Sequence, residues 1–160
     1  MIVVSDTSPL SYAHQIGLLP ILHSLYGEIV IPPAVEHELL AVPELHSGLD
    51  WLLLRIVPPR GTEQVEAFMD ELDRGESEAI VLALELEADL LLIDERTGRD
   101  VARRMGIRRT GLIGVLLEAK HRGLITSVAN SLDRLVAQTT FRLHPTVRAE
   151  VLTLANETDD

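Results

Sequence analysis

Short apolar blocks punctuated by Pro, Gly and Asp, rather than one sustained rhythm, organise this chain. Ile2 to Ser5 is an apolar, β-branched run of the length of a short buried strand. Ser8 and Pro9 then supply an N-cap and a first-turn proline, which predicts a helix to about Ala13, broken at Gly17 before a second helix to Leu25. Glu28 to Ile31 repeats the strand signal. Pro32-Pro33 opens a third helix with Val35, Leu39 and Leu40 on one face, and Pro43 ends it. Residues 44–61 are less regular, with Leu52 to Val57 reading as a strand or buried turn and Pro58-Pro59-Arg60-Gly61 as a loop. Asp73 and Glu76 form a capping-box pair ahead of a helix to Glu87, and Leu90 to Ile93 is a strand. Another helix runs from about Thr97 to Met105, closed by Gly106. From Gly111 to about Asn156 the pattern is helical, broken at Gly123 and Pro145, with Leu112, Val115, Leu116 and Ala119 assigned to the core.

Strands alternating with helices of this length predict an α/β class with parallel strands and helices on both faces of the sheet. At 160 residues the chain fits one domain, which would bury roughly 70% of the surface its unfolded form exposes. Residues 1–155 are assigned to that domain and 156–160 to a frayed tail. On this scaffold the acids sort themselves. Asp6 ends the first strand and Asp94 ends the LLLI strand, and the carboxyl ends of parallel strands share the edge where ligands bind. Glu38 in the third helix and Glu78 near the start of the later one can reach the same crevice.

Each acid also has a plainer role open to it. Asp6 caps a turn or helix, Glu38 is solvated, Glu76 completes the capping box, and Glu78 favours the helix N-terminal dipole. Glu76 and Glu78 both flank the stripe of Ala79, Leu82, Ala83 and Leu86, and of the neighbours Asp94 and Glu95 one would point inward. Four carboxylates brought together repel by about 1 kcal/mol per pair at 4 Å even in water. A divalent cation with oxygen ligands, Mg²⁺ or Mn²⁺, relieves that repulsion and can activate water for in-line attack on a phosphodiester.

Composition narrows the picture. Aromatic residues make up 3% of the chain, so base stacking is not expected to be its main means of holding nucleic acid. The formal net charge of -11, from 25 acids and 14 bases, argues against tight non-specific binding to phosphates and suits a basic partner. The distribution matters more than the sum: Glu63 to Glu78 holds seven acids and one base, whereas Arg96 to Arg109 holds six arginines and one acid. With no cysteine there are no disulfides or zinc-thiolate sites, which fits a reducing cytoplasm. The apolar start is cut short by Ser5 and Asp6 and has no basic n-region, so a soluble cytoplasmic protein with no membrane partner is expected.

The stretches VVSDTSPL, YGEIVIPPAVEHEL, LDRGESEAIVLALELEADLLLIDERTGRDVA and GLIGVLLEAKHRGLI together resemble the PIN-domain ribonucleases, over about Ile2 to Leu135. They resemble more closely a PIN-like subgroup of prokaryotic proteins. The resemblance implies a three-layer α/β/α domain with a central parallel sheet, a helical C-terminal part and an acidic pocket for Mg²⁺ or Mn²⁺. Asp6, Glu38, Glu78 and Asp94 match the family's four acids in order, with Glu76 and Glu95 as the neighbours an alignment could exchange for the last two. Ser8 matches the hydroxyl residue that orients the first acid or a metal-bound water. Many relatives are toxins of toxin-antitoxin pairs that cut RNA, and homodimers are common, so the resemblance implies an RNA substrate and a basic antitoxin-type partner. In this reading Asp6, Glu78 and Asp94 hold metal, Glu38 assists, and Arg96 and Arg99 contact RNA phosphates. The rival reading is a PIN-like module that binds RNA or a partner without turnover.

Overall fold

Val3 and Val4 are both fully buried, yet they enter different cores, because successive side chains of a strand point to opposite faces of a sheet. The structure, a computed structural model, describes residues 1–45, 49 and 52–158. Its strands are β1 (Val3–Ser5), β2 (Glu28–Ile31), β3 (Leu53–Ile56), β4 (Leu90–Leu92) and β5 (Arg109–Thr110). They form one parallel sheet in the order β3-β2-β1-β4-β5, with Val4 opposite Val30 and Ser5 opposite Leu92. The order reverses at β1: β2 lies on one side of it and β4 on the other, so the switch point of the sheet is the β1/β4 boundary.

Helices cover both faces, giving three α/β/α layers. On one face, α1 (Thr7–Gln15), α2 (Leu19–Tyr26), α3 (Pro33–Leu40) and α7 (Leu112–His121) pack Leu10, Leu22, Val35 and Val115 against Val3, Ile29, Ile31 and Leu92. On the other, α5 (Arg74–Glu85) and α6 (Arg96–Arg104) pack Ile80, Ala83 and Val101 against Val4, Val30, Leu91 and Ile93, with α4 (Thr62–Phe68) alongside. A smaller cluster joins α7 to α8 (Val128–Gln138) and α9 (Pro145–Leu154) through Leu116, Leu132 and Leu152. No helix among the described residues is long and apolar enough to cross a membrane.

Three local features differ from the sequence reading or sharpen it. The first helix begins at Thr7, so Asp6 rather than Ser8 takes the N-cap position. The irregular stretch resolves at Leu53–Ile56 as an edge strand, while residues 46–48 and 50–51 lie outside those described. Strand β5 has two residues inside an arginine run, too few to show a period; it exists because Leu91 and Ile93 donate their amides to the carbonyls of Arg108 and Thr110, both at 2.9 Å.

Glu157, within the expected tail, is tied to the body of the domain. Its carboxylate accepts the amides of Val128 at 2.7 Å and Ala129 at 3.1 Å and meets the Lys120 ammonium at 3.0 Å, closing the N-terminus of α8. Burial pushes this carboxyl up, but the two amides and Lys120 outweigh it and hold it at about 2. A depressed value stabilises the fold above the ordinary carboxyl range, and that stability is lost as pH falls from about 4.5 through about 2. Glu157→Gln is expected to cost about 1–3 kcal/mol at pH 7. Thermal unfolding of the two proteins at pH 7 and pH 3 checks this, since the difference between them should shrink at the lower pH.

Candidate active site

Asp6 follows β1 directly and its amide donates to Leu92 O of β4 at 2.9 Å, which fixes it at the switch point. It occupies an N-cap position, yet its side chain makes no capping hydrogen bond and is 3% exposed. Burial pushes the carboxyl up to about 8, with the Thr7 amide opposing and the charges of Glu76, Asp73 and Glu38 adding. An aspartate placed only to cap a helix would keep a carboxylate stabilised by amides. This one is held among other acids instead.

Glu38 reaches the cluster from α3. Its Oε2 accepts the Thr7 hydroxyl, and its Oε1 lies where a Cβ on Gly75 would come to 2.5 Å, so the first turn of α5 is bare at the point where this carboxylate lies. Thr7, not Ser8, therefore supplies the hydroxyl on an acid; Ser8 is half-buried in the first turn of α1. The signal for Thr7 was only its adjacency to Asp6.

Glu76 and Glu78 part company. Residues two apart on a helix are about 200° apart around its axis, so only one can face Asp6. Glu76 is the one whose charge acts on it. Its Oε2 accepts the Asp73 amide at 3.2 Å while Asp73 Oδ1 accepts the Glu76 amide at 2.8 Å, so the capping box and the acid cluster share one side chain. Burial, then the Asp73 charge, raises its carboxyl to about 7, against the Asp73 amide, with Glu95 and Glu38 adding to the rise. Glu78 instead accepts the Ala34 amide at 3.1 Å and meets Arg74 at 3.4 Å, tying α5 to the start of α3. Of the two residues the sequence offered, Glu78 with Glu76 as its alternative, Glu76 lies on the side of Asp6 and Glu78 links two helices.

Asp94 lies two residues beyond β4. Its Oδ1 accepts the Leu112 amide at 2.8 Å, and a Cβ on Gly111 would come to 2.5 Å from that oxygen. Its Oδ2 is buried with no hydrogen-bond partner. Burial raises its carboxyl, against the Leu112 amide and Arg99, with Glu95 adding to the rise. Glu95 is exposed at the N-cap of α6, so of this adjacent pair Asp94 is the buried one.

The donor set is all oxygen, which suits a hard divalent cation and no soft one. Two observations fit such an ion: the orphaned Asp94 Oδ2, and a deeply set Asp6 whose carboxyl is raised by burial and by neighbouring acids. Among the described residues no group of three or more His, Asp or Glu is gathered closely enough to hold an ion as it stands. The residues match the ion in chemistry and burial, and their arrangement is more open than a closed cage. Beside Asp94, Arg96 and Arg99 line a cleft of about 1020 Å³ together with Arg103. Arg104, the next arginine on α6, is turned away into a two-pronged pair with Glu71 at 2.9 Å.

A parallel sheet between two helical layers, with Asp6 and Asp94 at the carboxyl ends of β1 and β4, has the architecture of a PIN domain. The chain belongs to the DUF3368 family, a PIN domain, whose match covers residues 2–157. PIN domains are typically nucleases and generally use divalent metals. Among solved structures, the chain is similar to a PilT N-terminus domain protein from the archaeon Sulfolobus solfataricus P2, at 18% identity and a TM-score of 0.48, over 90% of this chain and 98% of that one. A search of curated proteins finds no match.

Proposed function

We propose that this protein is a divalent-metal-dependent endoribonuclease, with Asp6, Glu38, Glu76 and Asp94 as its acids and Mg²⁺ or Mn²⁺ as its cofactor. The observation that carries the reading is Asp6: buried at the end of the central strand, making no capping hydrogen bond, and within electrostatic reach of Glu76, Asp73 and Glu38. Asp6 and Glu76 would bind the cation from the sheet and α5, Glu38 from α3 under the Thr7 hydroxyl, and Asp94 through its free Oδ2. A bound cation supplies water activation and charge neutralisation at phosphorus. Arg96 and Arg99 hold the flanking phosphates. The test is RNA cleavage by nuclease-free protein with and without Mn²⁺; absence of metal-dependent cleavage would leave the module that binds without turnover.

The roles of toxin and homodimer belong to the same proposal. An acidic chain of net charge -11 suits a basic antitoxin-type partner. Growth arrest on expression, relieved by Asp6→Asn, is the outcome expected of a toxin, and the mass of the purified protein in solution reads the dimer.

Gly75→Ala separates geometry from charge. The new methyl group would collide with the Glu38 carboxylate, the mobile end of a long side chain, so the helix survives and Glu38 moves. Cleavage is expected to fall by about 100-fold, the order of loss that a 1 Å misplacement causes. The melting temperature should change little, because Ala favours a helix interior over Gly by about 1 kcal/mol.

A further inference from the structure

A second cavity, of about 280 Å³, lies at the opposite edge of the sheet from Asp6 and Asp94, where β1, β4 and β5 begin. Its walls come from three separate parts of the chain: the start of β5 with Arg108, α7 with Glu118 and the Arg122 that follows it, and Tyr26 at the end of α2. Side chains alternate across the sheet along β5. Thr110 is paired with Leu92, which enters the core beneath α7, so Thr110 and Arg108 face α7 while Arg109 faces the other way. Two arginines, Arg108 and Arg122, therefore line the cavity from the α7 side.

What these side chains already bind decides what they can still take. Among the described residues, Arg108 makes no ion pair within 4.0 Å and no side-chain hydrogen bond. Arg122 meets Glu118 at 2.7 Å through Nε alone, which leaves both terminal nitrogens of its guanidinium without a protein partner. Glu118 thus orients that fork and leaves most of its donors open. The Tyr26 hydroxyl lies close enough to Glu118 and Arg122 for both charges to act on it, and it makes no hydrogen bond among the described residues. Asp89, the other carboxylate of the cavity, is engaged by the Ile2 amide at 2.6 Å. The acceptors here are occupied and the donors are not, which is the complement of an anion.

Planar forks of N–H donors suit phosphate oxygens, and two of them suit a group with more than one charge. A terminal phosphomonoester carries about -1.5 to -2 at neutral pH and offers three free oxygens, whereas a phosphodiester within a strand carries a single charge. The volume is just below the roughly 300–1,000 Å³ of ordinary ligand sites, enough for a phosphate and part of what it is attached to. We infer that this cavity binds a terminal phosphomonoester, the group shared by a free mononucleotide and the 5′ end of an RNA, with Arg108, Arg122 and the Tyr26 hydroxyl on its oxygens. The site is separate from the acids, needs no metal and does not rest on the nuclease reading. Arg109 lines both this cavity and the cleft beside Asp94, so the two share a wall.

Isothermal titration in EDTA tests it, with adenosine 5′-monophosphate as probe beside adenosine and the cyclic 3′,5′-monophosphate, a diester with the same base and sugar. The monoester is expected to bind about tenfold more tightly than the cyclic diester, and adenosine not measurably. Arg108→Gln and Arg122→Gln should each weaken the monoester about tenfold, the order of a lost charge-assisted hydrogen bond. Tyr26→Phe keeps the ring and should cost a smaller factor. Both arginines are exposed, so the variants should keep the melting temperature of the unaltered protein. Arg99→Gln, in the cleft beside Asp94, should leave this binding unchanged. A short labelled RNA with and without a 5′-phosphate separates the two sources. Tighter binding of the phosphorylated RNA that Arg108→Gln removes, with the mononucleotide silent, assigns the site to RNA ends; mononucleotide binding that Arg108→Gln removes assigns it to the free nucleotide. No preference for a monoester in either probe, a loss that follows Arg99→Gln, or monoester binding that survives both Arg108→Gln and Arg122→Gln overturns the site.

Discussion

Asp6→Asn is expected to abolish metal-dependent cleavage while making the metal-free protein more stable at pH 9. The two effects have one cause. Asp6 is 3% exposed and its carboxyl is pushed up to about 8, so at pH 9 the fold must hold a buried anion beside other carboxylates. Asparagine keeps the shape and removes the charge, which should return on the order of several kcal/mol at that pH and almost nothing at pH 4. Cleavage should fall by at least about 100-fold, because the side chain most deeply set in the cluster no longer offers an anion. Melting curves at pH 4 and pH 9, run beside cleavage assays, check both halves. Destabilisation at pH 9 with cleavage retained would remove Asp6 from the site.

The second large effect is the response of stability to pH, and metal should invert it. A carboxyl raised in the folded state contributes stability that is fully present below its unfolded value and is lost as pH rises through its folded value. Asp6 moves from 3.8 to about 8 and Glu76 from 4.5 to about 7, so the metal-free protein should lose stability across roughly pH 4 to 8. Glu157 acts in the other direction and only below about 4.5. The metal-free melting temperature should therefore peak near pH 4 to 5. With Mn²⁺ or Mg²⁺ in excess, binding favours the ionised acids and grows with pH, adding about 2.7 kcal/mol at a concentration 100 times the dissociation constant. The falling limb should flatten or rise. A metal-free curve that peaks near pH 7, or one that metal leaves unchanged, would contradict this arrangement of acids.

Much of the sheet is legible in the sequence because its strands carry their own evidence. Val3, Val4 and Leu91 to Ile93 are apolar runs buried on both faces, the mark of parallel strands between helices. Asp6 and Asp94 are readable for the same reason, since each is the first charge after such a run. The choice between Glu76 and Glu78 is not, because both flank one apolar stripe and the helix is buried almost all round in its first half. What separates them is that Glu78 accepts the amide of Ala34, 44 residues away, a contact that arises only on folding, while Glu76 stays in the capping box with Asp73. The lining of the cleft by Phe141 and Arg142 was equally hidden: nothing local in FRLH says that it shares a cleft with Asp94, 47 residues before Phe141.

The pairing of β1 with β4 also governs when the site can exist. Ser5 is the partner of Leu92, 87 residues later, and the amide that fixes Asp94 belongs to Leu112. Asp6 thus leaves the ribosome well before its crevice can close, because Leu112 follows it 106 residues later. At about 5–20 residues per second that interval lasts several seconds. Parallel pairing over such a separation is itself a slow step of folding. On the proposed function such a chain would be silent while it is being made, and one interrupted before Leu112 would never carry an assembled site.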